Sequence, residues 1–311
     1  MTFKGCTLAA ACAALMSSCA YGPTAFADEP VFGYVYTTDL LPQDRYDIEQ
    51  WITDRDGQAY GYYHAVEGRT EFEYGVTDNF QLALYLNYAY VGADHNSVHG
   101  LTEGSDIKSS ANPFRSYGNL HYDGLSVEAT YRVLSPYTDP VGLAFYVEPE
   151  IGPKEYGVEL RGIVQKNFFD DRLVLAGNVW VEFEREAGSN LGAVGAEEGP
   201  AGNKTNATYA ELDLGASYRF APNWSAGIEF RNHREYGGYS LSHSDQDHTA
   251  YFVGPNIHYA NERWYATISV LRQISAIGFT DDQKAEMLHG RLYGDEHTTW
   301  DGLRLIVGRS F

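Results

Sequence analysis

The sequence predicts an all-β fold: a transmembrane antiparallel up-and-down β-barrel of about 12 strands. Three observations support this prediction. Apolar and polar residues alternate over runs of about ten residues or more, which is long for a soluble strand and suits a tilted membrane-crossing strand. Short polar turns alternate with longer polar connections, and aromatic residues recur beside the turns. After residue 30, no run approaches the roughly 20 apolar residues of a membrane-spanning helix.

Residues 1–27 have the three parts of a Sec signal peptide. Lys4 provides the positive start, and Gly5 to Ala20 is a stretch of small and apolar residues. The sequence Ala25-Phe26-Ala27 then fits the A-x-A cleavage pattern. We therefore expect export of the chain and cleavage before Asp28.

A lipoprotein signal is the alternative for this region, because Met16-Ser17-Ser18-Cys19 loosely matches a lipobox. Methionine is atypical at the first position of that motif, and a good A-x-A site follows it. The chain's three cysteines are Cys6, Cys12 and Cys19. Cleavage after Ala27 would therefore leave a mature chain without cysteine, stabilised by packing and hydrogen bonds alone.

Residues 28–44, "DEPVFGYVYTTDLLPQD", precede the first predicted barrel strand. Phe32, Tyr34 and Tyr36 alternate with Gly33 and Val35, but the run is short. Three interpretations remain open: a periplasmic lead-in, an additional strand, or a plug folded into the lumen.

Residues 45–311 are predicted to form the barrel itself. Five stretches repeat one unit, in which an alternating run, a short polar turn and a second alternating run follow one another. Such units read as β-hairpins because Asn, Asp and Pro favour turns. The predicted strands are 45–55, 62–76, 80–91, 124–134, 141–152, 156–168, 173–184, 207–220, 224–235, 248–259, 264–274 and 300–311.

The connections between these strands are of two kinds. Short turns lie at 77–79, 135–140, 169–172, 221–223 and 261–263, while long connections span 92–123, 185–206, 236–247 and 275–299. Links 56–61 and 153–155 are short exceptions. Short turns on one side and long loops on the other are typical of bacterial outer-membrane barrels, whose long loops are external. An even strand number then places both chain ends in the periplasm.

Aromatic residues flank most of the short turns: Tyr74, Phe80, Phe168, Phe220, Trp224, Tyr259 and Trp264. This recurrence is typical of the girdles at the two membrane interfaces. A secreted β-sandwich or β-helix would also alternate, but such a protein would need a second layer over its apolar face. The long strands and the absence of a helical pattern argue against that alternative.

If the apolar positions face lipid, the opposite parity faces the lumen. Charged residues there are the candidates for lining a pore: Glu67, Arg69, Glu71, Glu73, Glu128, Arg132, Glu148, Glu150, Glu159, Arg161, Glu182, Glu184, Glu211, Asp213, Arg219, Glu229 and Arg231. His233 and Arg304 share this parity. Two interpretations stay open: the charges pair with one another and fill the interior, or the excess of acids lines a cation-favouring pore. Twelve strands suit a narrow pore or a lumen closed by a loop.

Charge and motifs limit the other function classes. The formal net charge of −20 disfavours a nucleic-acid partner. The sequence contains neither a G-x-S-x-G nucleophile elbow nor an H-E-x-x-H motif, so neither motif points to a catalytic site. The loop residues His243, Asp245, Asp247 and His248 could hold a metal, as could Asp94, His95 and His99. Polar loops of this kind are more often simply solvated, so we predict no metal and no cofactor.

Several stretches together resemble a known class of protein. They are the signal peptide, "FGYVYTTD", "RTEFEYGVTDNFQLALYLNY" and the terminal strand. The chain resembles proteobacterial outer-membrane β-barrel proteins of an uncharacterised, transporter-type family. This resemblance implies a bacterial outer-membrane location, contact with outer-membrane lipids and lipopolysaccharide, and a passive channel for small solutes. The alternatives are a lipid- or lipopolysaccharide-modifying enzyme and a structural or adhesive barrel that acts through its external loops.

The chain ends in "LRLIVGRSF". Leu303, Leu305, Val307 and Arg309 share the lipid-facing parity, and Arg309 is expected to reach towards lipid headgroups. A terminal aromatic after alternating apolar residues resembles the signal read by the barrel assembly machinery. We therefore predict that Phe311 is an assembly signal and that the last strand pairs with the strand near 45–55.

Overall fold

A computed structural model of the chain describes residues 29–58, 61–94, 117–153, 155–187, 204–293 and 297–311. The predicted signal peptide lies outside the described residues, as does most of the long connection 92–123. The predicted domain boundary at residue 27 therefore stays a prediction.

Twelve strands form one closed barrel with antiparallel neighbours, which confirms the predicted fold class. The first six are β1 (Tyr46–Asp56), β2 (Tyr62–Thr77), β3 (Phe80–Asp94), β4 (Tyr117–Leu134), β5 (Gly142–Ile151) and β6 (Glu155–Phe168). They are followed by β7 (Leu173–Ala187), β8 (Lys204–Ala221), β9 (Trp224–Gly237), β10 (Gln246–Ala260), β11 (Trp264–Gly278) and β14 (Trp300–Ser310).

The connection between β11 and β14 has structure of its own. It contains the short helix α1 (Asp281–Ala285) and a two-stranded hairpin of β12 (Met287–Leu288) and β13 (Arg291–Leu292). The sequence predicted a long connection over 275–299, and these elements within it were not predicted. Leu292 is fully buried in a cluster with Leu271, and Met287 packs against that cluster, so apolar burial folds this connection back onto the barrel.

None of the described helices has the length and apolar character that a membrane crossing requires.

Ring closure comes from β1, which pairs with β2 on one side and with β14 on the other. The register with β14 runs from Asp47 opposite Ser310 to Asp56 opposite Trp300. This confirms the predicted partner of the last strand. Over the described strands, closure leaves no barrel edge with unpaired backbone groups, as expected of a barrel that crosses a membrane.

Strand alternation separates an apolar outer face from a mixed inner face. On β3, Leu82, Leu84 and Leu86 are 37%, 49% and 44% exposed, whereas Ala83 and Tyr85 between them are 3% and 1% exposed. Exposed large apolar side chains recur on the outward parity of the other strands. An apolar outer face of this kind is typical of outer-membrane barrels.

The carboxy-terminal residue, Phe311, is held by an aromatic stack and a cation–π contact. The Phe311 backbone N–H donates to the Tyr46 carbonyl at 3.0 Å, and the two rings stack with centroids 5.1 Å apart. The Arg309 guanidinium lies 4.6 Å from the Phe311 ring centroid and 5.0 Å from that of Trp264. Arg309 thus contacts aromatic residues at the barrel end, where a cation over a ring is attracted by its quadrupole.

We expect Phe311→Ala to lower the free energy of unfolding of the refolded barrel, because the stacked pair contributes about 0.5–1.5 kcal/mol beyond its buried area. Denaturant titration in detergent micelles would measure this loss. Phe311→Tyr is the matched control, since it keeps the ring and should unfold near the wild-type midpoint. A wild-type midpoint for Phe311→Ala would contradict the role of the stack.

Candidate functional site in the barrel interior

Residues 29–41, called the interior segment below, lie inside the barrel. Phe32, Tyr34, Val35, Leu40 and Leu41 are each between 1% and 6% exposed. The segment adopts bends and irregular backbone and joins no sheet. Its backbone groups are therefore satisfied by other means, as buried backbone requires.

Glu229 of β9 is the main anchor of the interior segment. Its Oε1 accepts from the Gly33 N–H at 2.9 Å, and its Oε2 accepts from the Tyr34 and Val35 N–H groups at 2.7 and 3.2 Å. Asn256 Nδ2 and Ser269 Oγ donate to Oε1 at 2.9 and 2.8 Å. Five donors thus surround one fully buried carboxylate, and successive backbone N–H groups form an anion-binding concavity around it.

Side-chain amides hold the next part of the segment. Asn178 of β7 accepts from the Tyr36 N–H at 2.7 Å and donates to the Tyr36 carbonyl at 2.9 Å. Gln165 of β6 accepts from the Thr38 N–H at 2.7 Å, and Gln81 of β3 accepts from the Leu41 N–H at 2.7 Å. The wall therefore offers an ordered series of polar side chains that substitutes for a neighbouring strand.

Arginines contact the segment's aromatic rings. The Arg304 guanidinium lies 3.8 Å from the Tyr34 ring centroid, and its Nη1 donates to the Gly33 carbonyl at 3.0 Å. The Arg231 guanidinium lies 4.8 Å from the same ring, and that of Arg161 lies 4.3 Å from the Tyr36 ring. These contacts fix the orientation of both tyrosines.

The segment leaves the interior near the turn between β4 and β5. The Asp39 carboxylate accepts from the Tyr137 hydroxyl at 2.8 Å and from Gln165 Nε2 at 3.1 Å. Burial raises the pKa of the Asp39 carboxyl, although both hydrogen bonds favour its ionised form. Arg132 Nη1 donates to the Thr38 carbonyl at 3.3 Å. This end of the segment is therefore attached to the turn region as well as to the wall.

An acidic patch on β1 and β2 faces the segment. Asp47 lies opposite Glu73 and Glu49 lies opposite Glu71, and the four are between 1% and 6% exposed. The Tyr265 hydroxyl contacts both Asp47 and Glu49. Like charges on directly opposite residues destabilise strand pairing. This patch therefore lowers the stability of the barrel unless a cation or a proton neutralises part of its negative charge.

A cavity of about 50 Å³ remains between the interior segment and this wall. Its lining includes Tyr34 and Tyr36 of the segment and the carboxylates of Glu49, Glu71, Glu73 and Glu128. The volume suffices for a few water molecules. The acidic residues of the interior thus meet the segment at a small cavity.

Among the predicted pore-lining residues, the mid-barrel arginines form ion pairs. Arg69 pairs with Glu148, and Arg161 with Glu159 at 2.8 Å. Arg231 Nε donates to Glu211 at 2.9 Å and lies 3.9 Å from Asp213. Glu67 pairs with Arg55 of β1 at 2.8 Å. The interior therefore combines paired charges with the acidic patch.

The other predicted residues occupy less central positions. Arg132 Nη2 and Arg219 Nη2 donate to turn carbonyls, of Asp78 at 2.6 Å and of Asp170 at 3.3 Å, which places both arginines at the barrel end that carries the short turns. Glu150 accepts from Asn87 at 3.2 Å. Glu182 and Glu184 lie half-buried on the inward parity of β7. Whether these residues line a conducting path stays a prediction.

The loop residues considered for metal binding are not brought together. His243 is exposed and contacts Gln246, and Asp245 accepts from Ser240 Oγ at 2.6 Å. His248 is instead fully buried and contacts His297. Asp94 is described at the end of β3, whereas His95 and His99 lie outside the described residues.

Sequence analysis missed the residues that hold the interior segment through amides. Gln81, Gln165 and Asn178 are uncharged, and a search for charged candidates passes over them. An uncharged amide at an inward-facing position among apolar residues could have identified them. Gln165, two residues after Ile163, is an example.

One protein family matches nearly the whole chain. The family described as "Family of unknown function (DUF6662)" matches residues 24–311. The chain belongs to DUF6662. A search of curated proteins gave no relative of this DUF6662 chain.

Solved structures include similar barrels. The COG4313 outer membrane channel from Pseudomonas putida F1 is 10% identical over 88% of the DUF6662 chain and 98% of its own, with a TM-score of 0.56. The NanC porin (9% identity, 86% and 98% covered, TM-score 0.45) and the beta domain of the Bordetella autotransporter BrkA (11%, 86% and 99%, 0.47) are more distant. At this identity, the first likeness shows the barrel fold and nothing more specific.

We expect Glu229→Gln to loosen the interior segment, because hydrogen bonds to a charged group contribute about 1.5–3 kcal/mol and the amide cannot accept from all the same donors. Native-state hydrogen exchange should then accelerate about tenfold or more at the Gly33, Tyr34 and Val35 amides. Glu128→Gln is the matched control, since Glu128 accepts from Tyr85 and Thr130 and not from the segment. Unchanged exchange at these three amides in Glu229→Gln would contradict the anchoring role.

Proposed function

We propose that this protein is an outer-membrane channel for small solutes, with a preference for cations, and that the interior segment closes it. The observation that carries the proposal is the way in which the segment is held. Its described backbone contacts are to wall side chains such as Glu229, Asn178 and Gln165, and not to a strand ladder. Water can replace such contacts one at a time, so the interior segment can move while the ring of strands stays intact.

The dimensions of the barrel support a narrow path. Eight-stranded barrels are filled by their own side chains, and barrels of sixteen or more strands enclose a wide channel. Twelve strands lie between these cases, and here the interior segment takes up the additional space. Displacement of residues 29–41 would leave a lumen lined by the ion pairs and the acidic patch, which is suited to small solutes.

The acidic patch supports the cation preference. Asp47, Glu49, Glu71 and Glu73 face inward from two adjacent strands, and Glu128 faces the same cavity. Rings or clusters of carboxylates in a pore attract cations and repel anions. The excess of acids over bases in the whole chain agrees with this preference.

The outer surface of the barrel supports the proposed outer-membrane location. Its exposed leucines and its aromatic residues beside the turns suit contact with outer-membrane lipids and lipopolysaccharide. Residues 1–27, acting as a signal peptide, would direct export of the chain to the periplasm and then be removed. The terminal Phe311, ordered against Tyr46, is the residue that we propose the barrel assembly machinery recognises.

Planar-bilayer recording of the purified, refolded chain tests the channel. We expect discrete openings whose reversal potential in a salt gradient shows cation preference. Glu229→Gln should raise the open probability, because it weakens the anchor of the closing segment. Silent bilayers across the voltage range for both proteins would overturn the proposed function.

Cysteine accessibility tests the path itself. In a chain that begins at Asp28, Glu71→Cys would introduce a single thiol, and a cationic, water-soluble thiol reagent should reduce its current irreversibly. Phe72→Cys is the matched control, because Phe72 is the next residue and is 46% exposed on the outer face. Equal sensitivity of the two variants would contradict the assignment of Glu71 to the path.

A further inference from the structure

Three histidines converge inside the barrel at the end away from Phe311. His233 lies on β9, His248 lies near the start of β10, and His297 lies on the connection that precedes β14. His248 is fully buried and His297 is 7% exposed. One ring nitrogen from each of the three lies within 4.8 Å of those of the other two. His233 and His248 lie on neighbouring strands, and His297 is 49 positions beyond His248, so the barrel fold creates this cluster.

The geometry between the rings suits a common ligand. The Nε2 atoms of His248 and His297 are 3.1 Å apart, and their rings are nearly perpendicular, at 89°. The His233 ring centroid lies 5.4 Å from that of His297 and 5.9 Å from that of His248. Two imidazole nitrogens bound to one tetrahedral zinc ion at 2.0–2.1 Å would be about 3.3 Å apart. The observed separation is close to that value.

Carboxylates stand behind two of the rings. Glu211 Oε1 contacts His233 Nδ1 at 2.7 Å, and Glu235 Oε2 lies 3.7 Å from His248 Nδ1. At hydrogen-bond distance, as for Glu211 and His233, a carboxylate on Nδ1 leaves Nε2 as the ligating atom and makes it more basic, which is the usual arrangement behind metal-bound histidines. Glu211 is itself fixed by Arg231. The cluster therefore has three candidate ligands and a carboxylate that orients one of them, His233.

We propose that His233, His248 and His297 bind one transition-metal ion, with zinc, copper, nickel and cobalt as the chemical class. Imidazole nitrogen suits these ions, whereas calcium and magnesium prefer oxygen ligands. Three protein ligands leave one coordination position for water or another small ligand. This metal site is independent of the proposed channel activity.

The site has a structural consequence. His297 belongs to the connection that also carries β12 and β13, while His233 and His248 belong to the wall. A bound ion would join this connection to the wall. Gln273 Nε2 already donates to the Leu292 and Thr298 carbonyls at 3.0 and 3.3 Å, so the ion would add to an existing attachment.

Metal titration of the full chain tests the site, using protein without a histidine tag that has been stripped with a chelator. We expect calorimetry with zinc to give one ion per chain, and the ion to raise the thermal midpoint. His248→Asn and His297→Asn should each weaken binding by more than about 100-fold, and Glu211→Gln by about 10–100-fold. His243→Gln is the matched control, since His243 is exposed in the nearby turn at His243–Asp245. Equal losses in His243→Gln and His248→Asn would overturn the assignment.

A spectroscopic measurement on the wild type keeps the test decisive where a variant fails to fold. Copper-loaded protein should show hyperfine coupling to imidazole nitrogens in its electron paramagnetic resonance spectrum. Coordination by oxygen alone would instead indicate the carboxylates of Asp47, Glu49 and Glu73, whose oxygens also lie within 4.8 Å of one another, and would overturn the histidine site. No binding of zinc or copper at stoichiometric protein concentration would overturn it as well.

Discussion

Buried backbone must be hydrogen-bonded, and this constraint governs the interior of the barrel. The wall strands satisfy their backbone through ring closure, from β1 through β14. Residues 29–41 run through the same interior without joining the sheet, so side chains must satisfy them. Glu229 accepts from three successive N–H groups, and Asn178, Gln165 and Gln81 continue the series. Each of these side chains is separately placed by the sheet register, so the segment's path depends on the barrel as a whole.

The two ends of the interior differ in chemistry. Near the chain termini, Asp47 and Glu49 face Glu73 and Glu71, and a small cavity separates this acidic patch from the interior segment. At the other end, three imidazoles form a cluster, and the connection between β11 and β14 folds inward against the wall. Tyr34 joins the two regions, because it packs in the same cluster as Leu292 and lies beneath Arg304. The lumen is therefore occupied from both ends, and the proposed transport would require the interior segment to move.

Much of the fold could be predicted from local pattern. The predicted strands 62–76 and 264–274 correspond to Tyr62–Thr77 and Trp264–Gly278, because alternation with period two is a property of each strand by itself. The pairing of the last strand with the first was also predictable. A barrel must close on itself, and an even number of strands makes the first and last strands antiparallel. The hairpin of β12 and β13 was not, because two-residue strands show no period. Its formation depends on the burial of Leu292 in one apolar cluster with Leu271 of β11.

The sequence by itself determined that the chain forms a long-stranded barrel, which residues face inward and where the short turns lie. These follow from side-chain periodicity and turn chemistry, which act over a few neighbouring residues. Only the tertiary structure decided which inward residues meet. Glu229 and Gly33 are 196 positions apart, and His248 and His297 are 49 apart. Such contacts depend on the number of strands, their register and the path of the interior segment, and no local pattern encodes these together.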